Sequence, residues 1–201
     1  MLKYAIALTG SIATGKSTAS SILRLFGFRI IDADEVAHKI LDAKAQSVAE
    51  IFGEEIIKDG RVDRKALGKI IFSNEEARVK LEKLLHPAIK EEILSQAKEQ
   101  EKFKKPYIID IPLYFERLSY RDDIKKVVVV YTPKKLQIER LMKRDGISEE
   151  EALQKIDIQI SIESKRELAT WVINNSKDLK NLQRECERVK EEILESFQKE
   201  A

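Results

Sequence analysis

The sequence predicts an α/β fold, a parallel sheet with helices on both faces, interrupted by an inserted helical lobe. Three observations carry that prediction. Short apolar runs alternate with segments of helical spacing near both ends of the chain, as βαβ units of a parallel sheet require. The first such unit encloses Gly10-Ser11-Ile12-Ala13-Thr14-Gly15-Lys16-Ser17, which fits G-x-x-x-x-G-K-[ST] at every defined position. From residue 35 to about residue 102 the alternation stops, and helical segments follow one another with no clear strand. The expected architecture is a P-loop three-layer αβα core with a five-stranded parallel sheet. Residues 1–34 and 103–201 would form this core, with a lid over about 140–168. Residues 35–102 would form the inserted helical lobe.

Residues 4–9 are a short apolar run, read as a buried first strand. Residues 18–26 place Ile22, Leu25 and Phe26 at helical spacing, and Gly27 is a natural C-terminal cap. Residues 28–31 read as a second strand, followed by Asp32-Ala33-Asp34. In the lobe, Asp59-Gly60 marks a turn. Asp63 caps a helix carrying Leu67, Ile70 and Ile71, and Ser73-Asn74-Glu75-Glu76 reads as a capping box. His86-Pro87 is expected to break the helix that follows, because the residue before proline is pushed out of the α region. The core resumes with strands at 107–111 and 126–131. Thr132-Pro133 is read as the cap and first residue of a helix reaching Arg144 and ended by Gly146. Ser148-Glu149-Glu150-Glu151 is a second capping box, before a long polar helix to about Leu168. Residues 171–173 are the last strand. Residues 178–198 are the last helix, with Leu182, Cys186, Val189, Ile193, Leu194 and Phe197 on one side.

Of the 201 residues, 43% are hydrophobic and 36% charged, for a formal net charge of +2. That apolar content fills a core and excludes global disorder. So small a net charge argues against a broad basic surface wrapped around nucleic acid. The lone Cys186 permits no internal disulfide, and a Cys-based zinc site needs several more. No apolar run approaches the roughly 20 residues that cross a bilayer. Residues 1–13 faintly mimic a secretion signal, but the phosphate loop that follows at once makes a buried strand the better reading. The expectation is a cytoplasmic protein, monomeric or a weak homo-oligomer. Its partners would be small molecules, with neither nucleic acid nor membrane among them.

The loop carries the strongest chemistry. A phosphate chain concentrates negative charge and needs many donors at short range. A curled loop supplies backbone N–H groups, and the helix after it adds its positive end. Gly10 and Gly15 let the backbone approach closely; Ala13, Thr14, Lys16, Ser17 and Thr18 complete the expected ATP-binding set. Lys16 brings a mobile charge to the β- and γ-phosphates, and the Ser17 hydroxyl is positioned for Mg²⁺.

A GTPase would need N-K-x-D and D-x-x-G, and neither occurs. A small-molecule kinase needs an acceptor site, a base or orienting group, and mobile arginines. Asp34 is read at the end of the second strand, and carboxyl ends of strands face the ligand crevice. Asp34 is therefore favoured as the group that takes the proton of an incoming hydroxyl. On the competing reading, Asp32 or Asp34 caps the next helix. Arg140 and Arg144 stand i, i+4 and share one helix face. Planar guanidinium forks suit phosphate oxygens, so a lid role is preferred over a solvated basic face. Asp110 ends an apolar strand as a Walker-B-like carboxylate; it either holds Mg²⁺ or caps the next turn.

Further motifs occur in a specific order: Ala7-Leu8-Thr9-Gly10, Ile31-Asp32-Ala33-Asp34, Arg64-Lys65-Ala66-Leu67, Leu84-Leu85-His86-Pro87 and Asp110-Ile111-Pro112-Leu113 with Phe115-Glu116. Arg144-Asp145, Gln159, Lys165-Arg166 and Val172-Ile173-Asn174-Asn175 complete the series. Over nearly the whole chain this resembles the dephospho-coenzyme A kinase family. The resemblance implies an adenylate-kinase-like core, a helical substrate lobe and a lid. It implies transfer of a phosphoryl group from ATP to the ribose 3′-hydroxyl of dephospho-coenzyme A. It further implies Asp34 as the base, Arg144 as the lid arginine, and Thr9, Arg64 and His86 at the acceptor site or its support. His86 is equally read as a helix-break residue bonded to backbone. The loop at Asn175 is implied to flank the adenine. Ser11 and Ala13 stand where the family usually has glycine, which suits only positions that need no positive φ. Two rival functions remain at this point: another P-loop kinase, acting on a nucleoside monophosphate or a small alcohol, and a nucleotide-dependent binding protein without transfer activity.

Overall fold

The computed structural model describes residues 2–116 and 120–199. Met1 and residues 117–119, 200 and 201 of the expected core lie outside the described residues. The chain runs β1 (Ala5–Gly10), α1 (Lys16–Leu25), β2 (Ile30–Asp32), α2 (Ala33–Ala43), α3 (Ala45–Phe52), a 3-10 turn (Glu54–Ile56), β3 (Ile57–Lys58) and β4 (Arg61–Val62). It continues with α4 (Arg64–Ser73), α5 (Glu75–Glu101), β5 (Tyr107–Asp110), β6 (Lys126–Tyr131), α6 (Lys134–Asp145), α7 (Glu149–Asp157), α8 (Ile162–Glu167), β7 (Trp171–Asn174) and α9 (Leu179–Lys199). Two compact units result: Met1–Ile31 with Ala97–Ala201, and Asp32–Gln96.

The first unit is built on a five-stranded parallel sheet in the order β2-β5-β1-β6-β7. Register fixes which residues share a face: Ile6 pairs with Ile108, Leu8 with Val128, and Val130 with Ile173. These residues form one core with Ala19 and Leu23 of α1 and Leu182, Cys186, Val189, Ile193 and Phe197 of α9. The apolar stripe of α9 is the one its spacing predicts except at Leu194, which is exposed at the stripe's edge. On the opposite face the hydroxyl of Tyr107 donates to the Ala97 carbonyl of α5 at 3.2 Å. Fully buried parallel strands read as continuous apolar runs, which is why residues 126–131 carry four valines.

In the second unit, Val36, Leu41, Val48, Ala49, Ile56, Val62 and Leu67 are buried, as are Ala77, Leu81, Leu85, Ile89 and Ile93 along α5. This unit departs from the expectation of an all-helical lobe. Asp59 (φ 50°) and Gly60 (φ 73°) close a short hairpin in which Ile57 pairs with Val62. Positive φ at both central residues is the turn geometry that matches strand twist.

Other local expectations also give way to tertiary structure. Pro87 does not break its helix; α5 runs through it. An interior proline costs about 3 kcal/mol, and each buried Leu or Ile contributes about 1.5–3 kcal/mol, so Leu81, Leu85, Ile89 and Ile93 outweigh it. Asn74 alone caps α5, accepting from Ala77 N–H at 3.0 Å. Ser73, expected in a capping box there, instead ends α4, donating back to Lys69 at 3.0 Å. Pro133 is the residue before α6, not its first, and Thr132 makes no cap. The polar helix expected up to residue 168 is two helices, because Ser161 starts α8 by accepting from Ser164 N–H at 3.1 Å.

Candidate active site

β1 is buried at every position and ends at Gly10, so the loop leaves from the carboxyl edge of the sheet. The first intrahelical bond of α1 is Ala19 N–H to Gly15 O, 3.1 Å. The N–H groups of Gly15, Lys16, Ser17 and Thr18 therefore have no intrahelical acceptor, and they carry the positive end of the helix dipole. Ser17 and Thr18 lie exposed on that first turn.

Both glycines are sterically required. A Cβ on Gly10 would stand 2.7 Å from Thr14 Oγ1 and 3.1 Å from the Val130 carbonyl. At Gly15, φ is +83° and a Cβ would lie 2.3 Å from Asn175 Nδ2. Ala13 corrects the expectation for its position: its φ is 61°. An alanine there carries about 1–2 kcal/mol of strain. Its methyl packs with Ile12 against Leu141, Ala152 and Ile156 of α6 and α7, which offsets that strain.

The loop's outward groups are held by a collar drawn from later in the chain. Lys165 Nζ donates to the Gly10 carbonyl at 2.8 Å. Ile12 N–H donates to Gln159 Oε1 at 3.1 Å. The Thr14 hydroxyl donates to the Ser11 carbonyl at 2.8 Å. Asn175 Nδ2 donates to the Thr14 carbonyl at 2.8 Å. The Thr132 hydroxyl lies 3.1 Å from both the Thr14 and Asn175 carbonyls, which share its single proton. Arg140 closes the collar, donating to Thr132 Oγ1 at 3.2 Å and to the Asn175 carbonyl at 2.9 Å.

At the loop mouth Lys16 Nζ lies 2.5 Å from Asp110 Oδ1, a carboxylate side chain only 5% exposed. Thr9, also buried, donates its hydroxyl to the Pro112 carbonyl at 2.9 Å, fixing the segment after Asp110. Arg144 lies one turn beyond Arg140 and is bound to Asp145 at 2.7 and 3.1 Å. That pairing raises the Arg144 pKa, and the guanidinium holds the Asp145 carboxyl below its usual range.

Three site candidates belong to the second unit. β2 ends at Asp32, so Asp34 does not end the strand as expected; it sits exposed in the first turn of α2. Asp32 is the cap, accepting from Asp34 N–H at 2.9 Å and Glu35 N–H at 3.0 Å. Arg64 opens α4 and donates to Asp42 at 3.1 Å. His86 is a half-buried residue inside α5, not at a helix break.

Sequence reading assigned no role to Lys165 or Gln159. For Lys165 a signal existed: it stands three residues after Ile162, on the buried side of α8. Among the described residues no three His, Cys, Asp or Glu side chains gather as a metal site. Ser17 and Asp110 are nonetheless oxygen donors of the kind Mg²⁺ takes beside phosphates, with few protein ligands.

What this arrangement can grip is a triphosphate, and fold and loop together define a P-loop kinase. The family model described as dephospho-CoA kinase matches residues 4–181, and the chain belongs to that family. A dephospho-CoA kinase of Sulfurimonas denitrificans is 55% identical over 97% of this chain and 96% of its own length. One of Wolinella succinogenes is 46% identical over 98% of both chains. The solved dephospho-CoA kinase from Campylobacter jejuni is 40% identical, covers 96% of this chain and 98% of its own, and superposes with a TM-score of 0.80. The activity is ATP-dependent phosphorylation of dephospho-coenzyme A to coenzyme A. No described helix is long and apolar enough to cross a membrane.

Proposed function

We propose that the loop binds the ATP triphosphate through the N–H groups opening α1 together with Ala13, Thr14 and Lys16, and that the accepting group is the ribose 3′-hydroxyl. The single observation that carries this reading is the free N-terminal turn of α1 with Lys16 poised 2.5 Å from Asp110. Lys16 exchanges Asp110 for phosphate oxygens when ATP enters. Ser17 and Asp110 would hold Mg²⁺, which supplies neutralisation of charge on the phosphate oxygens. Gly10 and Asn175 act from behind the loop. The buried Asn175 amide holds the Thr14 carbonyl, and the loop at Asn175 flanks the adenine.

Asp34 takes the proton of the incoming hydroxyl. Asp32 already fills the cap of α2, which leaves the Asp34 carboxylate available. Arg144, exposed near the end of α6, exchanges Asp145 for the transferring phosphoryl group, and Arg140 anchors α6 as the lid moves. The unit Asp32–Gln96, with Arg64 and His86, binds the acceptor. Thr9, whose hydroxyl donates to the Pro112 carbonyl, is the core residue assigned to the acceptor. The single cysteine, buried and unpaired, fits a reducing cytoplasm; the chain is read as a monomer or a weak homo-oligomer.

The test is Asp34→Asn. General-base removal predicts a fall in kcat of about 10²–10⁴-fold with the ATP Kd unchanged. Near-normal turnover in that variant removes Asp34 from the role.

A further inference from the structure

Lys165 is a fully buried cation. Its side chain is 0% exposed on α8, with Nζ 2.7 Å from Glu116 Oε1 and 2.8 Å from the Gly10 carbonyl. Enclosing an ammonium costs several kcal/mol even when it is paired, and burial drags the Lys165 pKa down while Glu116 pulls it back. Glu116 is itself fixed, accepting from Ile160 N–H at 3.2 Å, with its second oxygen buried and unpartnered among the described residues. A lysine of a solvated helix face would show none of this.

We propose that Lys165 is a positioning residue for the phosphate loop: its cation locks the Gly10–Ser11 peptide so that the loop turns donors, not a carbonyl, toward ATP. A trans peptide is planar, and its C=O and N–H point in opposite directions; no described peptide is cis. Holding the Gly10 carbonyl against Nζ therefore turns the Ser11 N–H the opposite way. Glycine is the residue whose backbone rotates most freely, so this is the peptide of the loop most in need of an external lock. The Thr14 carbonyl, farther along, is held by the neutral donors Thr132 and Asn175. The proposal rests on the loop being the ATP site, which the wild-type titration below checks by itself.

The experiment measures ATP Kd by nucleotide titration, and kcat and KM for both substrates, in wild type, Lys165→Met/Glu116→Met and Lys165→Arg. The double variant replaces the buried ion pair by an apolar pair, a change that often leaves stability intact. The expected result is a wild-type melting temperature with ATP Kd and KM raised about tenfold. The KM for dephospho-coenzyme A stays unchanged, and Lys165→Arg recovers most of the ATP loss. A double variant that melts like wild type and binds ATP within about twofold of it overturns the proposal. Should the double variant not fold, Lys165→Arg decides alone: ATP Kd near wild type supports the role of the cation, and ATP Kd raised about tenfold or more overturns it. Failure of the wild type to bind ATP would instead overturn the loop reading.

Discussion

Arg140 and Arg144 stand one turn apart on α6, yet they belong to two differently built regions. Arg140 is half-buried and donates into the collar beneath the phosphate loop, to Thr132 and to the Asn175 carbonyl. Arg144 is 59% exposed at the side chain, and its bonds run to the adjacent Asp145, which Lys155 also approaches at 3.7 Å. The loop floor draws its partners from residues 132, 159, 165 and 175, far away in sequence. The arm tip draws them from its own neighbours: Ser148 and Glu151 bond each other in a capping box. Long-range partners cannot be exchanged without disturbing the core, whereas local exposed ones exchange easily. On the proposed reading, the floor is preorganised for a ligand that arrives whole, and Arg144 would be the charge held in reserve for the moment of transfer.

Substitutions test that division in order of expected effect. The largest loss falls at Arg144→Ala, where turnover drops by about 10³-fold, the scale of a removed transition-state arginine. Gly15→Ala comes next. It combines a φ of +83° with a Cβ 2.3 Å from the Asn175 amide. Gly27→Ala is its control, with a φ of +95° and nothing within 4 Å of the new atom. Gly27→Ala costs about 1–2 kcal/mol of stability by strain alone, and Gly15→Ala costs more and weakens ATP binding, both read from melting curves with and without ATP. Arg140→Ala removes two bonds to the floor and lowers stability by about 1–2 kcal/mol, a shift of about 4 °C in melting temperature.

The smallest effect is a pH dependence at the arm tip. Hydrogen bonds from the Ser148 backbone and hydroxyl hold the Glu151 carboxyl below its ordinary 4.5. A depressed carboxyl stabilises the fold above the unfolded value, and that contribution is lost as pH falls through the folded one. Protection of the Ser148 amide from hydrogen exchange, corrected for intrinsic rate, should therefore decline below about pH 4.5. The Ser164 amide, whose acceptor is the Ser161 hydroxyl, should not follow it, and Glu151→Gln should flatten the difference.

The sheet and the loop were legible because their signals are local. Each core strand is a short apolar run, and the glycine and lysine spacing of residues 10–17 is a sequence pattern with one structural solution. The hairpin at 57–62 escaped because its two-residue strands are too short to show a period. Pro87 misled because a local rule met a helix anchored by buried residues on both sides. The division between α7 and α8 was missed because Ser161 caps a helix of only six residues. In the site, Lys16 and Asp110 were both named, but their contact joins residues 94 apart. Lys165, named only within the Lys165-Arg166 motif, carries no role in the sequence because a lysine reads as surface until its partner, a backbone carbonyl with no sequence signature, is seen.

The most direct measurement is the ATP dissociation constant of Arg144→Ala, taken on the same preparation as its turnover. If the floor holds ATP and the arm acts only during transfer, the constant stays within about twofold of wild type while turnover collapses by about 10³-fold. A dissociation constant that rises in proportion to the lost activity would mean that Arg144 is part of the ground-state grip, and the division between floor and arm would be contradicted.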